Sequence, residues 1–287
     1  MQTQTNEYYL EAVNRAIEFI ESNVEKDIKL EDISAYSHLS KYHFHRIFKF
    51  IIGNTIKDYI IRIRLEKSAL LLKNTDKNII DIAFDCGYSS PETFNQAFKK
   101  YFSTTPTRFR SSIQQEVKNK QAIYLDTSLE NLQVSEPKIL EIDDLNLAYI
   151  RHFGNYEKVA KSFQRLMFWA IKNLTLKLKP TTLGILHDNP DLTKEPNIRF
   201  DACVLITKKI QPKGQVGYKK IKGGKFAVFR YKGPYDNFYP VYDYIYNICL
   251  FRYQWELRDE PALEWYIKSP PFHKPKDLVT DFYLPII

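Results

Sequence analysis

Residues 79–110 read IIDIAFDCGYSSPETFNQAFKKYFSTTPTRFR, and the architecture of the N-terminal part of the chain follows from them. Ile79, Ile80, Ile82, Ala83 and Cys86 give a short helix one apolar face. Gly87 follows, and glycine takes the left-handed conformation that a helix C-terminus often requires. Ser90 suits an N-cap, and Pro91 suits the first helical position, where no amide hydrogen is needed. Phe94, Ala97, Phe98 and Tyr101 then fall at helical spacing and point inward. Glu92, Thr93, Asn95, Gln96 and Lys99 are left facing out. A polar, hydrogen-bonding outer face on the second helix of a helix-turn-helix is what a major-groove reader needs.

Upstream, residues 28–53, IKLEDISAYSHLSKYHFHRIFKFIIG, repeat the pattern. Leu30, Ile33 and Ala35 line a short helix, Ser37, His38 and Leu39 make the turn, and Ser40 is placed to cap a helix from Lys41 to about Ile51. Phe44, Ile47, Phe48 and Ile51 face in; Tyr42, His45, Arg46 and Lys49 face out. Residues 56–73 between the two units form one long apolar-striped helix. At 1.5 Å per residue its length is about 27 Å, close to the roughly 34 Å between successive major-groove faces. One chain then carries two reading heads and recognises an asymmetric site without dimerising.

These residues resemble the tandem helix-turn-helix domain of the AraC/XylS transcription regulators. The matching positions are Leu30-Glu31-Asp32-Ile33-Ser34, Ser40 to Phe44, Arg46 to Lys49, Arg62-x-Arg64-Leu65, Ile79-x-x-Ile82-Ala83, Gly87-Tyr88, Phe94-x-x-x-Phe98-Lys99, and Thr105-Pro106-x-x-Phe109-Arg110. The sequence departs from the family at Ser103, often glycine, and at Pro91-Glu92, where several relatives carry glutamine. The resemblance implies double-stranded promoter DNA as a partner, with RNA polymerase as a second.

Charge agrees. Residues 1–40 hold three Lys/Arg against eight Asp/Glu, whereas residues 41–110 hold thirteen against six. The basic excess therefore begins at the first reading helix, where phosphate neutralisation supplies sequence-independent affinity. Residues 7–24 form an amphipathic helix with Leu10, Val13, Ile17 and Ile20 on its apolar stripe. No stretch approaches the roughly 20 apolar residues of a membrane span. Cys86, Cys203 and Cys249 lie among apolar residues and read as reduced core thiols of a cytoplasmic, nucleoid-associated protein. His38, His43 and His45 lack the further ligands of a closed zinc site, so no metal and no cofactor is expected.

From Ser111 to about Ser128 the composition turns to Gln, Glu, Lys, Asn and Ser without an apolar stripe. We read 7–112 as the DNA-binding domain, 113–128 as a linker and 129–287 as a second domain.

That second domain is duplicated. Residues 147–157 and 226–236 align at an offset of 79, each an alternating strand followed by Gly-x-Tyr and an acidic residue. Each copy continues with an amphipathic helix (159–174 and 238–251) and two strands. The expected fold is multidomain: an all-α tandem helix-turn-helix, then an α+β domain made of a repeated βαββ unit, with an antiparallel curved sheet and both helices on one side. Duplication exposes the exceptions. Glu264 and Tyr266 correspond to Gly184 and Leu186, and a carboxylate inside an apolar-aromatic strand is costly to bury without a partner. A cation among aromatic rings is such a partner. Tyr266, Tyr149, Phe153 and Trp169 are the expected walls.

Residues 129–287 resemble GyrI-like effector-binding domains, through both Gly-x-Tyr junctions, Arg199-x-Asp201-Ala202-Cys203, residues 223–228 and Thr280-Asp281-x-Tyr283-x-Pro285. Both resemblances together match the Rob-type arrangement. They imply a small-molecule effector, cationic or amphipathic, held at Glu264. The alternative is a hydrolase of reactive xenobiotics fused to a DNA-binding domain. No Ser/His/Asp or Cys/His arrangement supports catalysis, and a non-enzymatic regulator is the expected class.

Overall fold

The computed structural model describes residues 2–37, 39–126, 132–173, 180–189 and 192–287. The chain divides into two compact units, Met1–Glu116 with Pro212–Gln215, and Val117–Gln211 with Val216–Ile287.

The first unit is helical: α1 Gln2–Glu21, α2 Leu30–Ser37, α3 Lys41–Ile52, α4 Ile56–Asn74, α5 Ile79–Asp85, α6 Pro91–Phe102 and α7, which starts at Pro106. Its core is laid down at the expected spacing, with Phe44, Phe48, Ile82, Ala83, Phe94 and Phe98 all buried. Helix α4 packs against α3, α5 and α6, so one rigid element carries both helix-turn-helix units. The caps are chemically specific. Thr55 accepts the Asp58 amide, Asn78 the Ile80 amide and Ser90 the Thr93 amide. Ser40 occupies its N-cap position, but its side chain makes no capping bond. Ile80, expected inside, is half exposed, because the short helix α5 buries only the stripe through Ile82, Ala83 and Cys86.

The division between the two units, at Glu116 and Val117, falls inside the segment 113–128 read as a linker, and that segment is helical through Asp126. Helix α7 runs from Pro106 to Asp126, taking in most of 113–128; the last two residues of that range lie outside the described residues. Glutamine, glutamate and lysine are good helix formers, and the segment has no glycine or proline to stop it.

The second unit is an eight-stranded antiparallel sheet: β1 Lys138–Ile142, β2 Leu145–Phe153, β3 Thr182–Leu186, β4 Arg199–Leu205, β5 Val216–Ile221, β6 Gly224–Lys232, β7 Leu263–Lys268 and β8 Val279–Pro285. Helix α8 is Val159–Lys172. Helix α9, Phe238–Tyr244, continues through a π turn at Ile245–Cys249. The strand order is β1-β6-β8-β7-β3-β4-β2-β5. Exchanging β1–β4 with β5–β8 reverses this order onto itself, so the two copies are related by a pseudo-twofold axis between β3 and β7. The repeating unit thus has one more strand than the βαββ expected. Strands β1 and β5 are exchanged, each pairing with the outer strand of the other copy. Both helices cover one face: α8 rests on Ala148, Ile150 and Val204, and α9 on Ala227, Phe229 and Phe282.

Candidate functional site

The outer face of α3 carries Tyr42, Arg46, Lys49 and Phe50, all exposed, with Tyr42 at 81% and Phe50 at 87%. They lie opposite the buried Phe44 and Phe48. His45 is half-buried beside this face. His43 turns away, its ring 5.3 Å from Tyr9. Phe50 was not singled out from the sequence, although its place one turn after Arg46 marks it as a member of the same stripe. On α6, Glu92, Thr93, Asn95, Gln96, Lys99 and Lys100 are exposed. Thr93 is partly committed to the cap, since its hydroxyl lies 3.1 Å from that of Ser90.

Several arginines of this unit hold it together and do not face out. Arg62 donates to Glu66 at 2.9 Å, and Tyr101 of α6 donates to the other oxygen of the same carboxylate at 2.9 Å. Arg62 and Glu66 are both buried. This chain of hydrogen bonds ties the end of α6 to α4. Arg64 donates to the carbonyls of Val24 and Lys26, at 2.9 and 2.6 Å. Gly87, at φ 77°, backs directly onto it: a Cβ there would lie 2.9 Å from the guanidinium and 2.8 Å from the Val24 carbonyl oxygen. Arg110 binds the carbonyls of Leu72 and Lys77.

In the second unit Glu264 is 4% exposed, on the helix-covered face of β7. Tyr242 of α9 donates to Glu264 Oε1 at 2.7 Å, and the neighbouring Tyr266 donates to Oε2. Burial pushes the Glu264 carboxyl up to about 7, against the opposing pull of the two tyrosine hydrogen bonds. Around it the rings interlock, edge to face for the Phe163 and Phe282 pairs and tilted for the Tyr235 pair. Phe163 of α8 meets Tyr266 at 5.5 Å, Tyr235 meets it at 5.6 Å, and Phe282 meets Tyr242 at 4.9 Å. Tyr156 and Phe163 close the side toward β4 through Phe200, at 5.8 and 6.2 Å. Gly184, directly across from Glu264, leaves the space these rings use: a Cβ there would sit 2.3 Å from the Phe200 ring and 2.8 Å from Tyr266 Oη.

Three expected walls are elsewhere. Strand alternation places Tyr149 and Phe153 on the opposite face of β2, where Tyr149 joins Leu147, Leu183, Cys203 and Phe226. Trp169 is on the helical side, but it packs on the Ala148, Ile150, Val204 and Val216 cluster. Strands β4, β2 and β5, which supply that cluster, are separated from β7 by β3. The residues missed, Phe163 with Tyr242 and Tyr156 with Tyr235, are pairs at the repeat offset of 79. That offset was the signal that could have found them.

Among the described residues, no group of three or more His, Cys, Asp or Glu is placed to hold a metal ion. All three cysteines are buried and unpaired by disulfides. No described helix is long and apolar enough to cross a membrane.

The model of the GyrI-like small molecule binding domain matches residues 135–287, more than half of the chain. The chain belongs to the GyrI-like family. A helix-turn-helix domain model matches residues 33–112 of this GyrI-like protein, over the tandem readers. The transcriptional regulator Rob of Salmonella typhimurium is 25% identical over 282 residues, which is 93% of this chain and 95% of that protein. The probable transcription factor PqrA of Proteus vulgaris is 39% identical over 102 residues, 35% of this chain and 84% of that protein. The uncharacterized HTH-type transcriptional regulator YbfP of Bacillus subtilis is 36% identical over 128 residues, 45% of this chain and 43% of that protein. The GyrI-like chain is a DNA-binding transcription regulator with an AraC-type reading domain, not an enzyme.

Proposed function

We propose that this regulator senses a small cationic or amphipathic aromatic effector, taken up at Glu264, and acts from promoter DNA on RNA polymerase. The observation that carries the effector class is a single carboxylate, almost fully buried, ringed by tyrosine and phenylalanine and paired with no cation among the described residues. The faces of such rings carry negative potential. A delocalised cation therefore gains from the rings and the carboxylate together, and an anion gains from neither. Tyr242 and Tyr266 hold the carboxylate until a cation replaces them as its partner.

On DNA, Tyr42, His45, Arg46, Lys49 and Phe50 of α3 serve one major groove. Glu92, Thr93, Asn95, Gln96 and Lys99 of α6 serve the next. Exposure of these residues on one face of each helix, with His45 half-buried at its edge, supports this assignment.

The deciding experiment is titration calorimetry of tetraphenylphosphonium against the wild-type chain and Glu264→Gln. Glutamine keeps the shape and deletes the charge. We expect binding to the wild type and a loss of at least tenfold in the variant, in line with about 1.5–3 kcal/mol for an interaction with a charged group. Equal affinities would place the effector elsewhere.

A further inference from the structure

Two buried hydroxyl groups of the aromatic site around Glu264 have no hydrogen-bond partner among the described residues. Thr280 lies on β8, paired across the sheet with Tyr266 and on the same helix-covered face. It is 1% exposed, and its Oγ1 is buried without a partner. Tyr156 stands at the start of α8 with its ring against Phe200, and its Oη is likewise buried without a partner. Burial first, and the charge of Glu264 second, raise the pKa of its phenol.

Buried hydroxyls without partners are unusual. Most are satisfied by protein or ordered water, and leaving one unsatisfied costs about 1–3 kcal/mol. Two of them fall on this one aromatic site, Thr280 across the strand pair from Tyr266 and Tyr156 against Phe200. The hydroxyl of Thr280 is not a requirement of the repeat, whereas tyrosine recurs at the position of Tyr156. The position equivalent to Thr280 in the first copy is Phe200, and the position equivalent to Tyr156 in the second is Tyr235, on the other side of Tyr266. Thr280 and Tyr156 are each donor and acceptor, so they can complete a hydrogen bond with a hydroxyl, amide, amine or carbonyl of a bound molecule.

We propose that the effector is not a purely lipophilic cation but a cationic aromatic molecule that also carries a neutral hydrogen-bonding substituent, received by Thr280 Oγ1 and Tyr156 Oη. This rests on the reading of Glu264 as the cation's partner. The carboxylate supplies the attraction for charge, the rings supply contact area, and the two hydroxyls choose among cations of similar size. A site built to hydrogen-bond a substituent rejects analogues lacking it, because its own polar groups then stay unpaired.

The test uses a matched pair of probes, tetraphenylphosphonium and (4-hydroxyphenyl)triphenylphosphonium, which differ by one hydroxyl. Calorimetry on the full chain compares wild type, Thr280→Val, Tyr156→Phe, the double variant, and Glu264→Gln. The wild type is expected to prefer the hydroxylated probe by about tenfold, the worth of one recovered buried hydrogen bond. The double variant should bring that ratio to about one while retaining tetraphenylphosphonium. Because valine and phenylalanine remove an unsatisfied hydroxyl without changing shape, both single variants should melt no lower than wild type. A preference that survives in the double variant, or a marked loss of melting temperature in Thr280→Val, overturns the proposal even where Glu264→Gln weakens both probes. Glu264→Gln binding both probes as well as wild type would overturn the cation reading itself, and the proposal with it.

Discussion

At the scale of single residues, Glu264 shows how much one position of a sequence can disclose. A carboxylate in the middle of Leu263-Glu264-Trp265-Tyr266 is anomalous without any structure, and its burial follows from the strand it occupies. Its surroundings were harder to read. Tyr149 and Phe153 are aromatic candidates of the first copy, yet strand parity sends both to the opposite face. The contacts that matter come from α9 and from β7 itself, and a helix supplies its neighbours by packing, which no local pattern encodes. The carboxyl's raised pKa carries a definite linkage. Its ordinary value is 4.5 and burial takes it to about 7, so the folded domain holds this proton more tightly than the unfolded chain. The contribution is full below about pH 4.5 and is lost as pH rises through about 7. The size is about 3 kcal/mol at 1.36 kcal/mol per unit. Relative to Glu264→Gln, the wild type should lose stability between pH 5 and pH 8 by an amount of that order. Denaturant melts followed by tryptophan fluorescence isolate the effect, because all three tryptophans, Trp169, Trp255 and Trp265, lie in the second unit. A stability difference between the two proteins that does not change with pH would mean the carboxyl is hydrated.

At the scale of elements, the helices of the first unit were legible because capping residues and 3.6-residue periodicity agree: Asn78, Ser90, Pro91 and Gly87 stand where the structure starts and ends α5 and α6. A missing apolar stripe says less about conformation. The polar run of 113–126 shows no helical stripe, yet it is helical, because a helix can be polar on most sides when its residues are good helix formers. Strands β1 and β5 escaped notice for a related reason. Strand β1 is almost wholly exposed and shows no apolar alternation, and an edge strand needs little of it. Ser103 marks a place where an element is less stable than its fold allows. It ends α6 in the left-handed conformation at φ 59°, and Gly53 does the same for α3 at φ 81°. These two positions are equivalent at an offset of 50. A left-handed residue other than glycine costs about 1–2 kcal/mol, against the smaller entropic penalty of glycine in the unfolded chain. Ser103→Gly should therefore stabilise the end of α6 by about 0.5–1 kcal/mol, read as slower hydrogen–deuterium exchange in peptides covering α6. Faster exchange in the variant would show that the serine side chain contributes more than its conformation costs.

At the scale of the whole molecule, duplication is the organising fact, and it acts differently in the two units. In the second, the pseudo-twofold axis brings equivalent positions face to face, so Gly184 and Glu264 become cross-strand partners. Two carboxylates there would oppose each other across the axis. One glutamate against one glycine gives a single charge and room for the surrounding rings. In the first unit helix α4, 19 residues long, packs against members of both copies and carries them. The reading helices are therefore fixed in number and spacing within one chain, and the predicted site is non-palindromic and bound by one molecule. The net basic charge overstates what faces DNA: Arg62, Arg64 and Arg110 are taken up by internal partners, leaving exposed residues such as Arg46, Lys49, Lys99 and Lys100. Two measurements on a duplex carrying one isolated site follow from this. Sedimentation should give one chain per duplex, and an obligatory two-to-one complex would overturn the monomeric reading. Lys99→Ala should weaken binding to specific and nonspecific duplexes alike and lower the salt slope by about one. Arg46→Ala should instead cost about 1–3 kcal/mol on the specific duplex, if it pairs with a guanine, and relax the preference at that base. If Arg46→Ala changed both duplexes equally, α3 would be gripping the phosphates and the sequence would be read by α6.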